Sequence, residues 1–198
     1  MESRERIGLF GGSFDPIHTG HLILAESAVN VAGLERVIFM PTARPPHKRD
    51  VPLTPFDVRR EMVELAIKDN PRFELSLLEG GDRPAFTYES VAHYREMGYG
   101  REEVHLVMGS DSLGEISGWR HPERILENAT IIAMRRNQPE EAFEIPAGAA
   151  IIMIETGGNS ISSSGIRAMV RDGKSIRYLV PDAVERFIRD HALYTGPG

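Results

Sequence analysis

The chain has 198 residues with no cysteine, and its 29 acidic against 23 basic residues give a formal charge of −6. This length suits one sizeable α/β domain, and a hydrophobic content of 41% with 26% charged residues is that of a folded chain, which excludes a disordered protein. The acidic balance argues against a nucleic-acid polymer as partner, and the lack of cysteine excludes disulfides and cysteine-ligated metal sites.

Apolar, β-rich runs alternate along the chain with segments of helical periodicity. In chain order the patterns predict a strand over 6–12, a helix over 18–33, a strand over 37–41, a loop rich in proline and cations over 42–55, a helix over 56–70, a strand over 73–78, a helix over 87–98, a strand over 103–109, a helix over 122–129, strands over 130–135 and 150–155, and helices over 163–173 and 181–192.

Continuous apolar strands that alternate with helices are typical of a parallel sheet covered on both faces. We therefore predict an α/β fold, a Rossmann-like doubly wound parallel sheet with a C-terminal helical segment, in a single domain over residues 1–198. Such sheets bind ligands at the carboxyl ends of their strands. Because the chain start lacks a signal-peptide pattern and the longest apolar run, 147–154, is too short to cross a bilayer, we expect a cytoplasmic protein without membrane contact.

The segment GGSFDPIHTGH (11–21) lies at such a carboxyl end. Its two leading glycines allow a sharp turn close to a ligand, and Asp15 with Pro16 predicts the cap and first residue of a helix. His18 and His21 then share one face near the helix start, where backbone N–H groups attract anions. A glycine pair is also common in plain turns, and two histidines three apart can be half of a zinc site, although no third ligand stands at suitable spacing.

A second unusual stretch, NSISSSGIR (159–167), precedes a helical pattern near the other end of the chain. Serine hydroxyls and N–H groups at a helix start, with Arg167 one turn further, suit a phosphate. A well-capped helix with a solvent-exposed arginine explains this stretch equally well on its own. Two helix starts with anion-binding groups, at opposite ends of the sequence of one domain, together favour a phosphate site.

Together these motifs resemble those of the nucleotidyltransferase α/β phosphodiesterase superfamily, whose nucleotide-binding members carry an HxGH and an ISSTxxR-type motif. Within it the chain is similar to the bacterial nicotinate-nucleotide adenylyltransferases over nearly its whole length. The landmarks are GGSFDPIHTGH (11–21), PPHK (45–48), FTYES (86–90), GSD (109–111) followed by Trp119, and SISSSGIR (160–167). Ser13 and Ser164 stand where that family commonly has threonine, and each keeps the hydroxyl.

The resemblance implies that the chain transfers the adenylyl group of ATP to nicotinate mononucleotide and releases pyrophosphate. It implies catalytic roles for His18, His21 and Arg167. ATP contacts are implied for these three and for Gly12, Ser13, Phe14, Gly109, Asp111, Ile161, Ser163 and Ser164. Mononucleotide contacts are implied for Lys48, Thr87, Trp119 and Arg120. Mg²⁺ is expected to arrive with ATP, without a metal site of the protein's own.

Two alternatives remain open from the sequence. One is a related adenylyltransferase that acts on nicotinamide mononucleotide or phosphopantetheine, although the PPHK loop and Trp119 disfavour phosphopantetheine. The other is a noncatalytic nucleotide sensor that keeps the ATP-binding groups and lacks the chemistry. The oligomeric state is open as well, a homo-oligomer included.

Overall fold

The computed structural model describes residues 5–45, 52–81, 84–135, 148–155 and 161–196. Within these ranges the strands form a six-stranded sheet in the order β3-β2-β1-β4-β5-β6, with every neighbouring pair parallel. The strands are β1 (Ile7–Gly12), β2 (Arg36–Pro41), β3 (Phe73–Leu75), β4 (Val104–Gly109), β5 (Thr130–Arg135) and β6 (Ile151–Glu155). This order places β1 beside β4 at the centre, where the chain reverses the direction in which it adds strands.

Helices connect the strands and close the described part of the chain. They are α1 (Thr19–Ala32), α2 (Phe56–Ile67), α3 (Thr87–Glu96), α4 (Ser110–Glu115), α5 (Pro122–Asn128), α6 (Ser163–Arg171) and α7 (Asp182–Asp190), with a 3₁₀ turn at Ile116–Gly118. None of the helices within the described ranges combines the length and the apolar character that crossing a membrane requires.

Two stretches differ from the sequence-based prediction. The third strand ends at Leu75 instead of residue 78, because the chain turns where the Gly80 N–H donates to the Leu77 carbonyl at 2.9 Å. Helix α4 and the 3₁₀ turn occupy residues 110–118, for which no element was predicted. Serines and glycines interrupt the apolar pattern there, so the segment lacks a helical stripe.

Side chains alternate along the central strands between two hydrophobic cores. Phe10 packs into a core completed by α1, α2, α6 and α7, whereas the neighbouring Leu9 packs into a core completed by α3, α4 and α5. Burial on both faces explains why these strands are apolar throughout. The doubly wound, Rossmann-like α/β fold with C-terminal helices is therefore confirmed, and the assignment of residues 1–198 to a single domain stays a prediction.

Candidate active site

A cavity of about 560 Å³ opens at the carboxyl ends of β1 and β4, where doubly wound sheets bind ligands. Every predicted site residue that the structure describes lines it: Gly12, Ser13, Phe14, His18, His21, Thr87, Gly109, Asp111, Trp119, Arg120, Ile161, Ser163, Ser164 and Arg167. Lys48 lies outside the described residues. The two motifs from distant parts of the chain thus face one space.

The start of α1 differs from the prediction. The N-cap is His18 and the helix begins at Thr19, so the prediction of Asp15 as the cap was wrong. Asp15, which is 2% exposed and precedes Pro16 through a cis peptide bond, points elsewhere. Its carboxylate accepts hydrogen bonds from the Thr54 N–H at 3.2 Å and the Tyr194 hydroxyl at 2.7 Å. The carboxylate therefore anchors the β1–α1 loop (residues 13–18) instead of capping the helix.

The two imidazoles form one unit at the start of α1. The His18 backbone N–H donates to Nδ1 of His21 at 3.2 Å, and the rings stack with centroids 3.7 Å apart. Because Nδ1 of His21 is an acceptor, the neutral ring carries its proton on Nε2. Phe14 meets the His21 ring edge-on, with centroids 5.0 Å apart. His21 is thereby oriented on both sides and presents an N–H donor from a fixed ring.

The β1–α1 loop is held to α6 by hydrogen bonds to its carbonyl groups. Arg167 Nη1 donates to the Asp15 carbonyl at 2.7 Å, and the Ser163 hydroxyl donates to the Pro16 carbonyl at 2.9 Å. These bonds bring the two helix starts together, as the motifs predicted. The hydroxyl hydrogen of Ser163 is engaged in this bond, so a phosphate contact of Ser163 would use its backbone N–H. That contact stays a prediction.

The first turn of α6 follows a serine cap. Ser162 accepts from the Gly165 N–H at 3.1 Å, and its hydroxyl lies 3.3 Å from that of Ser164. Ile166, on the opposite side of the helix, is 1% exposed and anchors α6 in the core. Ser164 and Arg167 are left on the side that lines the cavity.

A buried arginine that sequence reasoning missed supports the same loop. Arg59 of α2 is 1% exposed, and its guanidinium donates to the carbonyls of Ser13, Thr42, Ala43 and Thr54. Burial lowers the pKa of Arg59, while the charge of Asp15 acts in the opposite direction. An arginine in an amphipathic helix normally faces solvent, and because its partners are backbone carbonyls no local pattern marks it.

Glu79 is a second missed residue, and it lines the cavity beside the end of β2. Its carboxyl group is buried, 5% exposed, and accepts hydrogen bonds from the Thr42 hydroxyl and from the Ser90 hydroxyl, the latter at 2.8 Å. Burial raises the pKa of Glu79, and the two hydroxyl donors counteract part of that rise. The residue joins the end of β2 to the first turns of α3, which begin at Thr87.

The part of the cavity lined by Trp119 and Arg120 is aromatic and cationic. Trp119 directly follows the 3₁₀ turn and packs, partly buried, on the core below α3 and α5. The guanidinium carbon of Arg120 lies 4.7 Å from the centroid of the Phe86 ring. Asp111 is an exposed residue in the first turn of α4. A planar ring bearing a negative charge suits the aromatic and cationic groups gathered here.

The arrangement can bind a polyanion at the imidazoles and Arg167, and an aromatic acid at Trp119 and Arg120. Among the described residues, no group of three or more histidine, aspartate or glutamate side chains is placed to hold a metal ion.

Comparison with solved structures supports the fold. The chain superposes on a nicotinic acid mononucleotide adenylyltransferase of Plasmodium falciparum complexed with NaAD, with a TM-score of 0.82, 21% sequence identity, and coverage of 96% of this chain and 98% of that one. A second structure of the enzyme, complexed with APC, gives a TM-score of 0.80. At this identity the likeness establishes the architecture alone.

Comparison of sequences identifies the family. The model of the cytidylyltransferase-like family matches residues 9–169. A probable nicotinate-nucleotide adenylyltransferase of Thermus thermophilus is 43% identical over 192 residues, which cover 96% of this chain and 99% of the relative. One from Moorella thermoacetica is 40% identical over 200 residues, with coverage of 96% and 91%. The chain therefore belongs to the cytidylyltransferase-like family and, within it, to the nicotinate-nucleotide adenylyltransferases.

Proposed function

We infer that the chain transfers the adenylyl group of ATP to nicotinate mononucleotide, forming nicotinate adenine dinucleotide and pyrophosphate in NAD biosynthesis. The observation that carries this inference is the shared cavity. It is lined by the paired imidazoles at the start of α1 and by Arg167 of α6, and also by Trp119 and Arg120. A dinucleotide-forming reaction needs such a space, with phosphate donors on one side and a ring pocket on the other.

The chemical obstacle is charge repulsion. The nucleophile is the phosphate of the mononucleotide, so no covalent protein group is required. Two unit negative charges about 5 Å apart repel by about 3 kcal/mol at an effective dielectric constant near 20, and several such pairs form when this phosphate meets a triphosphate. The protein must supply fixed donors that hold the attacking oxygen in line with the leaving group.

His18 and His21 are assigned to the α-phosphate, where charge builds up in the transition state. The His18–His21 hydrogen bond of 3.2 Å and the ring stacking fix the donor of His21 before ATP arrives. Preorganised donors of this kind lower a barrier more than mobile ones. Gly12, Ser13 and Phe14 also line the cavity, and their backbone groups are assigned to contacts along the nucleotide.

The start of α6 is assigned to the leaving group. Arg167 uses one N–H on the Asp15 carbonyl, and a guanidinium has further N–H donors for the β- and γ-phosphates. Ser163 and Ser164 add backbone N–H groups at the positive end of the helix dipole. Mg²⁺ is treated as part of the ATP substrate, where it neutralises phosphate charge. Ile161 and Gly109 line the same cavity and are assigned to the ATP site.

The part of the cavity lined by Trp119 and Arg120 is assigned to the mononucleotide. Trp119 is assigned to stacking on the pyridine ring, the backbone at Thr87 to the carboxylate, and Arg120 to charge that favours the acid over the amide. Asp111 suits ribose hydroxyl groups near the end of β4. Lys48 is assigned to the phosphates from the loop at 42–55.

Pyrophosphate release tests the proposal. We expect release from ATP with nicotinate mononucleotide at a kcat/KM clearly above that with nicotinamide mononucleotide, and no release with phosphopantetheine. Preference for the amide would reject the substrate. Binding of ATP without pyrophosphate release with any acceptor would favour the nucleotide sensor.

A further inference from the structure

The C-terminal segment (residues 191–196) reaches back to the β1–α1 loop. Tyr194 donates its hydroxyl hydrogen to Oδ1 of Asp15 at 2.7 Å, across a separation of 179 residues. A phenol is protonated at neutral pH and can donate, and burial with the charge of Asp15 raises the pKa of Tyr194 further. Hydrogen bonds between a neutral donor and a carboxylate are among the stronger ones in proteins.

Asp15 passes this contact on to the site. Its other carboxylate oxygen accepts from the Thr54 N–H at 3.2 Å, and its backbone carbonyl accepts from Arg167 Nη1 at 2.7 Å. One residue thus holds both contacts, with Tyr194 and Thr54 on its carboxylate and Arg167 on its carbonyl. Neither Asp15 nor Tyr194 lines the cavity, whereas Arg167 does.

We propose that Tyr194 is a positioning residue for adenylyl transfer, which orients Arg167 through the buried carboxylate and the carbonyl group of Asp15. The proposal rests on the function inferred above, in which Arg167 binds the leaving pyrophosphate. Without the phenol hydrogen bond, the carboxylate of Asp15 keeps the hydrogen bond from the Thr54 N–H, and Asp15 with its carbonyl group is held less firmly. The guanidinium then occupies its productive position for a smaller fraction of the time, and small misplacements at a reacting centre are costly.

Tyr194→Phe removes the hydroxyl and keeps the ring. We expect kcat for adenylyl transfer to fall about tenfold, because a factor of this size corresponds to the energy of one hydrogen bond to a charged group. The inhibition constant of pyrophosphate should rise by a similar factor, while KM for nicotinate mononucleotide changes less than about twofold. The matched control is Tyr178→Phe. Tyr178 also has a positive φ, 66° against 64° for Tyr194, but is 76% exposed, and kcat should stay unchanged.

Combination with Arg167→Ala separates positioning from a general structural role. In that background Tyr194→Phe should lower kcat by less than about twofold, because the group through which it acts is gone. A further tenfold loss there, or equal rises in every KM, would overturn the proposal. So would an unchanged kcat and an unchanged pyrophosphate inhibition constant in Tyr194→Phe. Wild-type protein that releases no pyrophosphate would instead reject the proposed function.

Should Tyr194→Phe unfold at the assay temperature, the pyrophosphate measurement is repeated on it at a lower temperature, where thermal melts show both proteins folded. Wild-type affinity for pyrophosphate in the folded variant would then count against the proposal as directly as unchanged turnover.

Discussion

At the phosphate end of the cavity, the β1–α1 loop is hydrogen-bonded to Arg59, Arg167 and Tyr194, at separations of 46, 152 and 179 residues. At the mononucleotide end, the contacts span fewer residues and include the Arg120 guanidinium over the Phe86 ring and the Tyr88 ring edge-on to the His121 ring, with centroids 4.9 Å apart. The first end is fixed through its backbone, the second through side-chain packing. Chemistry that depends on aligned donors is assigned to the end with the fixed backbone, and recognition of a ring to the other.

The largest effect should come from the phosphate end. His21→Ala removes the donor assigned to the transition state, and we expect kcat to fall by about 10²–10³-fold with a much smaller change in ATP binding. His21→Asn should lower kcat equally. Its free energy of unfolding should stay close to that of the wild type, because Oδ1 of the asparagine can replace Nδ1 as acceptor for the His18 N–H. Loss of that bond in His21→Ala should cost about 1 kcal/mol of stability. Steady-state kinetics and urea unfolding measure the two effects.

His93→Ala is the control for this pair, since His93 is exposed on α3 and does not line the cavity. Its kcat should equal that of the wild type. An unchanged kcat in His21→Ala would remove the residue from the catalytic set.

A smaller effect, of a different kind, is expected at the mononucleotide end. Trp119→Ala should raise KM for nicotinate mononucleotide about 10- to 100-fold, because stacking of a ring on an aromatic side chain contributes about 1–3 kcal/mol. KM for ATP should change less than about twofold. Initial rates with each substrate varied in turn give both constants. A loss confined to ATP would show that the ring pocket is assigned to the wrong end.

The smallest effect concerns Glu79, which lies between the two ends. Burial raises its pKa, so the folded protein keeps this proton at pH values where the unfolded chain has lost it. The free energy of unfolding therefore carries a contribution that is full below the ordinary carboxyl pKa of about 4 and is lost as pH rises toward the raised pKa. Glu79→Gln lacks this loss, so its stability relative to the wild type should improve from about pH 5 to about pH 8.

Urea unfolding of both proteins at the two pH values measures this difference. Any effect of the substitution that does not depend on pH is the same at both values and cancels. A relative stability of Glu79→Gln that falls with pH would mean that Glu79 is better stabilised as an anion than its burial indicates.

The same contrast explains what the sequence could predict. The strands could be predicted from buried apolar runs and the helices from their periodicity, because both are local patterns. The N-cap at His18 could not be predicted in this way. The carboxylate of Asp15 accepts hydrogen bonds from Tyr194 and Thr54, which are distant in the sequence, and therefore does not cap the helix. Arg59 and Glu79 were missed because a buried polar residue whose partners are backbone or hydroxyl groups has no matching charge in the sequence.

The two motifs with His18, His21 and Arg167 were found from their residue types and spacing, and most of the other site residues were implied by the resemblance. The structure places all those it describes on one cavity. Their individual roles stay predictions.

The most direct test of the central claim is a crystal structure of the protein with a non-hydrolysable ATP analogue and nicotinate mononucleotide bound. The account predicts one triphosphate held between the imidazoles of His18 and His21 on one side and the guanidinium of Arg167 on the other, with the pyridine ring against Trp119. A triphosphate that contacts the imidazole pair while Arg167 faces solvent or another region would contradict it.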